Sequence, residues 1–388
     1  MMGEASKQPV FVYNLMVEDF VPAEHPLRAI RPFIDTKYIR KICKDLYSYT
    51  GRPSIPPEQL FLSLIGGFIL GIPSERKLMM EIQCNMALRW FIGLGLDEKV
   101  WDATVFSQNR KRRFDRSGTL EKLFEATVKE AKKKGLLSDH VSVDGTLVRA
   151  NASYKSFAPI EVNMSGKEYL EKLRAEDKDD QDGSNGPADS GNPTVDFRGE
   201  KRSNRTHRSK TDPDCRFVSK GATGSSAYPG YTVNAVMENR NRFLLGIGTE
   251  IFRGPGSETD GCVNLLDWIK HKVRFKPRTI GADKGYFSKP FIDNVFRRRI
   301  KPHIAVKERG KDKSHRRVRL MARGSGYYWS QRCRKKIEEL FGEAKEFHGM
   351  RRFRRRGLDK VREETWLIGW VLNLKRMSKL IKPQSVSC

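Results

Sequence analysis

The sequence predicts a mostly helical, basic N-terminal domain followed by an α/β domain. Three observations predict it. Apolar residues recur at helical spacing through residues 56–92, the pattern changes to period two at residue 139, and strand-like runs then alternate with helical ones.

Taken in order, Leu60, Phe61, Leu64, Ile65, Phe68 and Ile69 fall on neighbouring rows of one helix that opens on "PPEQ". "GIPSER" breaks it and offers Ser74 as the N-cap of a second helix. Leu78, Ile82, Met86 and Trp90 of "ERKLMMEIQCNMALRWF" share a face there. Asp102 is an N-cap for a third helix, which carries Arg110, Lys111, Arg112 and Arg113. Residues 1–125 are thus read as a helical domain whose basic cluster suits phosphate contacts, although a solvated charged face has the same composition.

From residue 139, "HVSVDGTLVRA" alternates Val141 and Val143 with Ser142 and Asp144, a strand signal. "YPGYTVNAVMENRNRFLLGIGTEIF" holds two more strand-like runs around "ENRN", which predicts a hairpin. "RTIGADKGYFSKPFIDNVFRRR" is strand, loop and then a helix opening near Ser288 and Pro290. Residues 175–212 are polar and rich in Gly, Pro and Ser, which predicts disorder or a surface insertion. "SGKEYLEKLRAE", just before, predicts one isolated helix. "VREETWLIGWVLNLKRMSKLI" is an amphipathic helix whose Trp366, Trp370 and Leu374 favour core packing over base stacking.

Lys and Arg outnumber Asp and Glu by 74 to 47, a formal charge of +27. A polyanionic partner is implied, most simply nucleic acid. Eleven Lys or Arg against two acids between Arg297 and Arg319, and the block Arg351, Arg352, Arg354, Arg355 and Arg356, suit the same partner. The six cysteines show no C-x-x-C spacing and no histidines beside them, so neither a zinc site nor a disulfide framework is expected. The longest apolar run, residues 60–72, is shorter than the ~20 residues of a membrane span, and no signal-peptide pattern opens the chain. A cytoplasmic location without membrane association is expected.

Asp144 lies in an apolar strand, where a carboxylate is costly without a partner. Asp283 ends the "TIGAD" strand, where α/β sheets place ligands. Singly, each also fits an ordinary turn or loop aspartate. Together they suit a hard divalent cation held by one or two carboxylates plus a substrate phosphate. A third acid is sought in "RKKIEELFGEAKEFHGMRRFRRRG". On a wheel of about 100° per residue with Arg334 at zero, Glu338 falls near 40° and Lys345 near 20°. Ile337, Leu340, Phe341, Ala344 and Phe347 fill the adjoining apolar arc. Glu339, Glu343 and Glu346 fall on the arc expected to face water, so Glu338 alone borders the packed face beside two cations. Simple i,i+4 pairing of Arg334 with Glu338 would look the same.

These segments resemble the bacterial insertion-sequence transposases of the DDE type, which have an RNase H-like catalytic domain. "GRPSIPPEQLF" through "WDATVFSQNRKRR" resembles their InsH-like N-terminal domain, and "VSVDGT", "GADKGY" and "RKKIEELFGEAKEFHGMRRFRRRGLDKV" resemble their three acidic segments. The family signature Tyr-x2-Arg-x3-Glu-x6-Lys is met by Arg334, Glu338 and Lys345, with Gln331 at the tyrosine position and Tyr327 and Tyr328 just upstream.

The resemblance implies an RNase H-like DDE domain over residues 136–388, with a polar, partly disordered insertion at about 155–218. It implies that Asp144, Asp283 and Glu338 are the catalytic and metal-binding triad, and that Arg334 and Lys345 hold the DNA backbone. Two Mg2+ ions, for which Mn2+ substitutes, would serve metal-assisted hydrolysis at the ends of a mobile element and joining of the freed 3′-hydroxyl to target DNA. The partners would be double-stranded DNA, both terminal inverted repeats and target, and a second copy of the chain in the DNA complex. Two alternatives stay open: a non-catalytic or repurposed DNA-binding protein, and an RNase H-like nuclease without strand transfer.

Overall fold

The computed structural model describes residues 16–48, 50, 54–160, 203–219, 227–254, 256–308, 310 and 312–381. The chain divides into two compact units, one of Met1–Phe114 with Met377–Cys388 and one of Asp115–Arg376.

The first unit is helical: α1 (Pro26–Ile30), α2 (Thr36–Cys43), α3 (Pro57–Ile69), α4 (Glu75–Cys84), α5 (Met86–Ile92) and α6 (Ala103–Arg113). Ser74 caps α4 by accepting from the Lys77 N–H, and Asp102 caps α6 by accepting from the Thr104 N–H. The run predicted as one helix from residue 75 is two. Asn85 leaves helical geometry (φ −92°, ψ 109°) and its side chain accepts from Leu88 N–H, so a capping amide in mid-run ends α4 and starts α5. α3 is buried almost all round. A Cβ at Gly66 would lie 2.8 Å from Leu88 Cδ2, so the glycine lets α5 close on α3.

The second unit is built on a six-stranded sheet. Its strands are β1 (His140–Arg149), β4 (Arg216–Val218), β5 (Tyr228–Glu238), β6 (Leu244–Glu250), β7 (Thr279–Ala282) and β8 (Lys301–Ile304). β1 is central, antiparallel to β5 and parallel to β7, and β8 continues parallel beyond β7. β5 also carries β6 and β4, both antiparallel. An antiparallel meander joined to parallel strands through a central first strand is the RNase H-like arrangement. The β5–β6 hairpin forms where its turn signal predicted. Buried Glu238 holds that turn by accepting from the N–H groups of Arg240 (3.0 Å), Asn241 (2.5 Å) and Phe243 (3.2 Å).

The helices are α7 (Thr119–Lys133), α8 (Ser257–Trp268), α9 (Lys289–Arg297), α10 (Lys313–Met321), α11 (Ser325–Phe347) and α12 (Leu358–Leu380). Strand alternation assigns them to faces. Gly145, Asn234 and Gly248 stand side by side on β1, β5 and β6, and α8 packs there, with Leu265 against Gly248 and Gly261 against Asn234. Asp144, Ala235 and Ile247 occupy the other face, where Gly369 of α12 meets Ile247. On that face a Cβ at Gly281 of β7 would lie 2.8 Å from Ser330 Oγ of α11. Trp366, Trp370 and Leu374 are buried, and Trp370 donates to Thr127 Oγ1 at 2.9 Å, so these aromatics pack the core.

Within the expected insertion, β2 (Phe157–Pro159) and β3 (His207–Ser209) form a small antiparallel pair, and β4 joins the main sheet. Most of the polar stretch and the isolated helix predicted in "SGKEYLEKLRAE" lie outside the described residues.

Candidate active site

Parallel pairing sets His140 opposite Thr279, Val141 opposite Ile280 and Ser142 opposite Gly281. Two residues on in each strand stand Asp144 and Asp283. Continued two residues past its last pair, that register carries the two toward one another on neighbouring strands, whose axes in a sheet lie ~4.8 Å apart, and the Asp283 carboxylate raises the Asp144 pKa. Asp144 accepts from the Gly145 N–H at 2.9 Å, and Asp283, just past the end of β7, accepts from the Gly285 N–H at 2.7 Å.

The Asp144 carboxyl is pushed up to about 7. Burial is the main cause; the Gly145 N–H partly offsets it, the Asp283 and Glu258 carboxylates raise it further, and the Arg334 guanidinium lowers it. Beneath them Cys262 and Tyr286 are buried side by side (Sγ to OH 3.3 Å), and both feel Asp144 and Glu258. Asp144, midway along β1, is thus within electrostatic reach of Asp283 and of Glu258, the first two anticipated from the sequence and Glu258 not.

α11 crosses this region with its signature residues in order. Gln331 donates through Nε2 to the carbonyls of Ala282 (3.2 Å) and His303 (2.5 Å), tying the helix to the ends of β7 and β8 next to Asp283. One turn on, Arg334 lies within electrostatic reach of Asp144 and pairs with Glu338 at 3.1 Å. Lys345 donates to Thr146 Oγ1 at 2.6 Å, two residues past Asp144. The helix therefore runs along β1 with both cations on the Asp144 face. Glu338 is connected to Asp144 through Arg334, and its side chain is 58% exposed.

The wheel misassigns one glutamate. Glu343 does not face water but pairs with Arg376 (2.8 Å) and Lys375 on α12, and with His348 it is held down to about 2, chiefly by the His348 hydrogen bond. The reason is tertiary, since α12 covers an arc of α11 that an isolated helix would expose. Glu339 and Glu346 are exposed, paired with Arg242 and Arg351. Phe347, assigned to the apolar arc, is 64% exposed where the helix ends.

Residues 136–374, more than half of the chain, match the model of the transposase DDE domain. The chain belongs to the DDE transposases. Residues 15–112 match a second model, a transposase domain (DUF772). Among solved structures, the chain is similar to a piggyBac transposase synaptic complex with hairpin DNA, at 10% identity and a TM-score of 0.41, over 91% of this chain and 74% of that one. It is also similar to a Mos1 transposase paired-end complex with left transposon end, at 8% identity and a TM-score of 0.20, over 78% and 83% of the two chains. No curated protein matches it.

As a DDE transposase the protein is a metal-dependent enzyme acting on DNA. Among the described residues no three His, Cys, Asp or Glu groups form a ready-made metal cage. The donor set still fits a divalent cation, because Mg2+ takes one or two carboxylates and keeps waters or substrate phosphates as its other ligands. A bound cation would offset both the burial that chiefly pushes Asp144 up and the lesser repulsion from Asp283 and Glu258.

The transposase's basic residues divide by burial. In α6, Arg110 pairs with Glu75 and Arg113 lies over the Tyr47 ring (4.6 Å), whereas Lys111 and Arg112 are exposed. After α11, Arg355 forms an ion pair with Asp115 in which both side chains are largely buried. Arg352 donates to the carbonyl of Ala150, and Arg356 to that of Asn151 at 2.9 Å. The Arg354 and Arg355 backbone N–H groups are held by buried Glu364. Arg351, Arg352 and Arg356 remain exposed. No described helix is long and apolar enough to cross a membrane.

Proposed function

We propose that this transposase binds the terminal inverted repeats of a mobile element, cuts there and joins the freed end to target DNA. Asp144, Asp283 and Glu338 carry the chemistry. The observation that supports this reading is that Asp144 and Asp283 follow the paired stretch of adjacent parallel strands and interact electrostatically, with Glu338 paired to the Arg334 that also acts on Asp144.

In the first step the oxygen of water bonds to the phosphorus at the element's end and the P–O3′ bond breaks, leaving a 3′-hydroxyl and a 5′-phosphate. In the second, that 3′-oxygen attacks a target phosphorus and displaces the target's own 3′-oxygen. Bound Mg2+, or Mn2+ in its place, supplies activation of the attacking oxygen and charge stabilisation on the leaving one. Asp144 and Asp283 hold the metal, with Glu338 as the third carboxylate. Arg334 and Lys345 hold the backbone near the scissile phosphate, and Lys111, Arg112, Arg351, Arg352 and Arg356 neutralise flanking phosphates. A homodimer brings two element ends together.

The test is cleavage and joining of a DNA carrying the element's ends, in Mg2+ or Mn2+, by wild type, Glu338→Gln and Glu339→Gln. Glu339 is the proper control, because Glu343 anchors α12. Glu338→Gln should bind DNA without cutting it while Glu339→Gln cuts as wild type does. A Glu338→Gln protein that cuts normally removes Glu338 from the site. Cutting without any joined product makes the protein a nuclease instead.

A further inference from the structure

Asn234, on β5, is 1% exposed, and neither its Oδ1 nor its Nδ2 has a hydrogen-bond partner. A buried amide left unpaired gives up its hydrogen bonds to water without replacing them, so such a residue calls for an explanation.

Its surroundings are formed by two glycines. A Cβ at Gly145 of β1 would lie 3.0 Å from Asn234 Oδ1, and one at Gly261 of α8 would lie 1.9 Å from Nδ2. The amide is thus clasped between the strand that carries Asp144 and a helix that can come this close only because residue 261 has no side chain. Glu258 stands three residues before Gly261 in the first turn of α8, and so on the same face of that helix. The Gly145 Cβ position would be 2.7 Å from Glu258 Cγ and 2.9 Å from its carboxylate carbon. The Glu258 carboxylate and the unpartnered Asn234 oxygen therefore converge on one point beside residue 145, next to Asp144.

We propose that Glu258 is a fourth acid of the active site, reaching from the opposite face of the sheet toward the divalent cation that Asp144 and Asp283 hold. Asn234 is a positioning residue that fixes the spacing of α8 from β1 and offers its amide to the cation's waters. The inference rests on the metal assignment made above. Among the described residues no three His, Cys, Asp or Glu groups stand close enough to hold one ion as they are, so the acids would have to draw together around it. Mg2+ keeps several waters, which donate hydrogen bonds, and Asn234 Oδ1 is an acceptor with no other partner.

The test is Mn2+ binding to the full chain without DNA, by isothermal titration calorimetry, for wild type, Glu258→Gln, Asp144→Asn and Asp260→Asn. Asp260 is exposed in the same first turn of α8 and controls for the helix end. Glu258→Gln is expected to weaken Mn2+ about 10–100-fold, and Asp260→Asn to leave it within about twofold. If Glu258→Gln binds Mn2+ as wild type does while Asp144→Asn does not, the fourth acid is overturned and the Asp144 assignment stands. If Asp144→Asn also binds normally, or wild type does not bind, the metal assignment falls and takes this inference with it. A second readout is independent of any variant's folding: Fe2+ with ascorbate and peroxide should cut the wild-type backbone near residue 258 as well as near 144 and 283. Cuts confined to 144 and 283 overturn the proposal.

Discussion

The side-chain amide of Gln331 donates to the carbonyl of Ala282, the residue immediately before Asp283. The helix α11 is thereby fastened to the strand end that precedes Asp283. Gln331→Leu removes this bond and the one to His303, and should lower stability by about 1–2 kcal/mol in urea unfolding. Strand cleavage should fall further than that loss of folded protein accounts for, because the tie sets the position of α11 over Asp283. Cleavage that falls only in step with the folded fraction makes Gln331 purely structural.

Glu343 sets an acid limit on stability. Its folded carboxyl is held down to about 2, against 4.5 as its ordinary value. The depressed value means that the unfolded chain takes up the proton first as pH falls. The contribution is complete above about pH 4.5 and is lost between there and about pH 2. It amounts to about 2–3 kcal/mol, allowing for partial solvent screening. Urea unfolding at pH 7 should show Glu343→Gln destabilised by about that amount, with the gap from wild type closing toward pH 2. An equal gap at both pH values would mean that the loss arises from packing.

Gly261 should tolerate no side chain. A Cβ there meets Asn234 Nδ2, and Gly261→Ala should cost on the order of 1–3 kcal/mol. Asn234→Ser shortens the obstructing side chain and should recover part of that cost, with a coupling above about 0.5 kcal/mol in a double-mutant cycle. Strict additivity would place the strain elsewhere.

Within α6, Lys111 and Arg112 are the cations available to DNA. Each replacement by Ala should lower the slope of log affinity against log salt by about 0.9 if the residue contacts one phosphate of a duplex. Arg110→Ala breaks the ion pair with Glu75 and should lower stability rather than the slope. A slope unchanged in the double variant Lys111→Ala, Arg112→Ala would move the DNA contact off this helix.

The parts of the fold legible in the sequence are those governed by local rules. Ser74 and Asp102 cap helices because a short acceptor precedes a helical pattern, and the β5–β6 hairpin follows from "ENRN" between two β-rich runs. Asp144 could be singled out as an acid within an apolar strand and Asp283 as one at a strand end, but their approach depends on the β1–β7 pairing between distant segments. Glu258 carried no usable signal, because acids are favoured in the first turn of any helix by the macrodipole. What marks it is the Asn234 amide between Gly145 and Gly261, a relation among three separate elements. Glu343 was misread for a similar reason, since a wheel cannot show a second helix lying on the first.

Because β1 is the central strand, it pairs with β5, β7 and, through Arg149 and Arg352, a segment after α11. A nascent chain growing at ~5–20 residues per second carries Asp144 for on the order of 10–40 s before Glu338 is made. Such distant pairings are slow to form even then. If Glu338 is the third acid, as proposed, ribosomes stalled between the two acids would hold a chain with no capacity to break DNA, and strand scission would be confined to polypeptides whose translation has passed the last acidic segment.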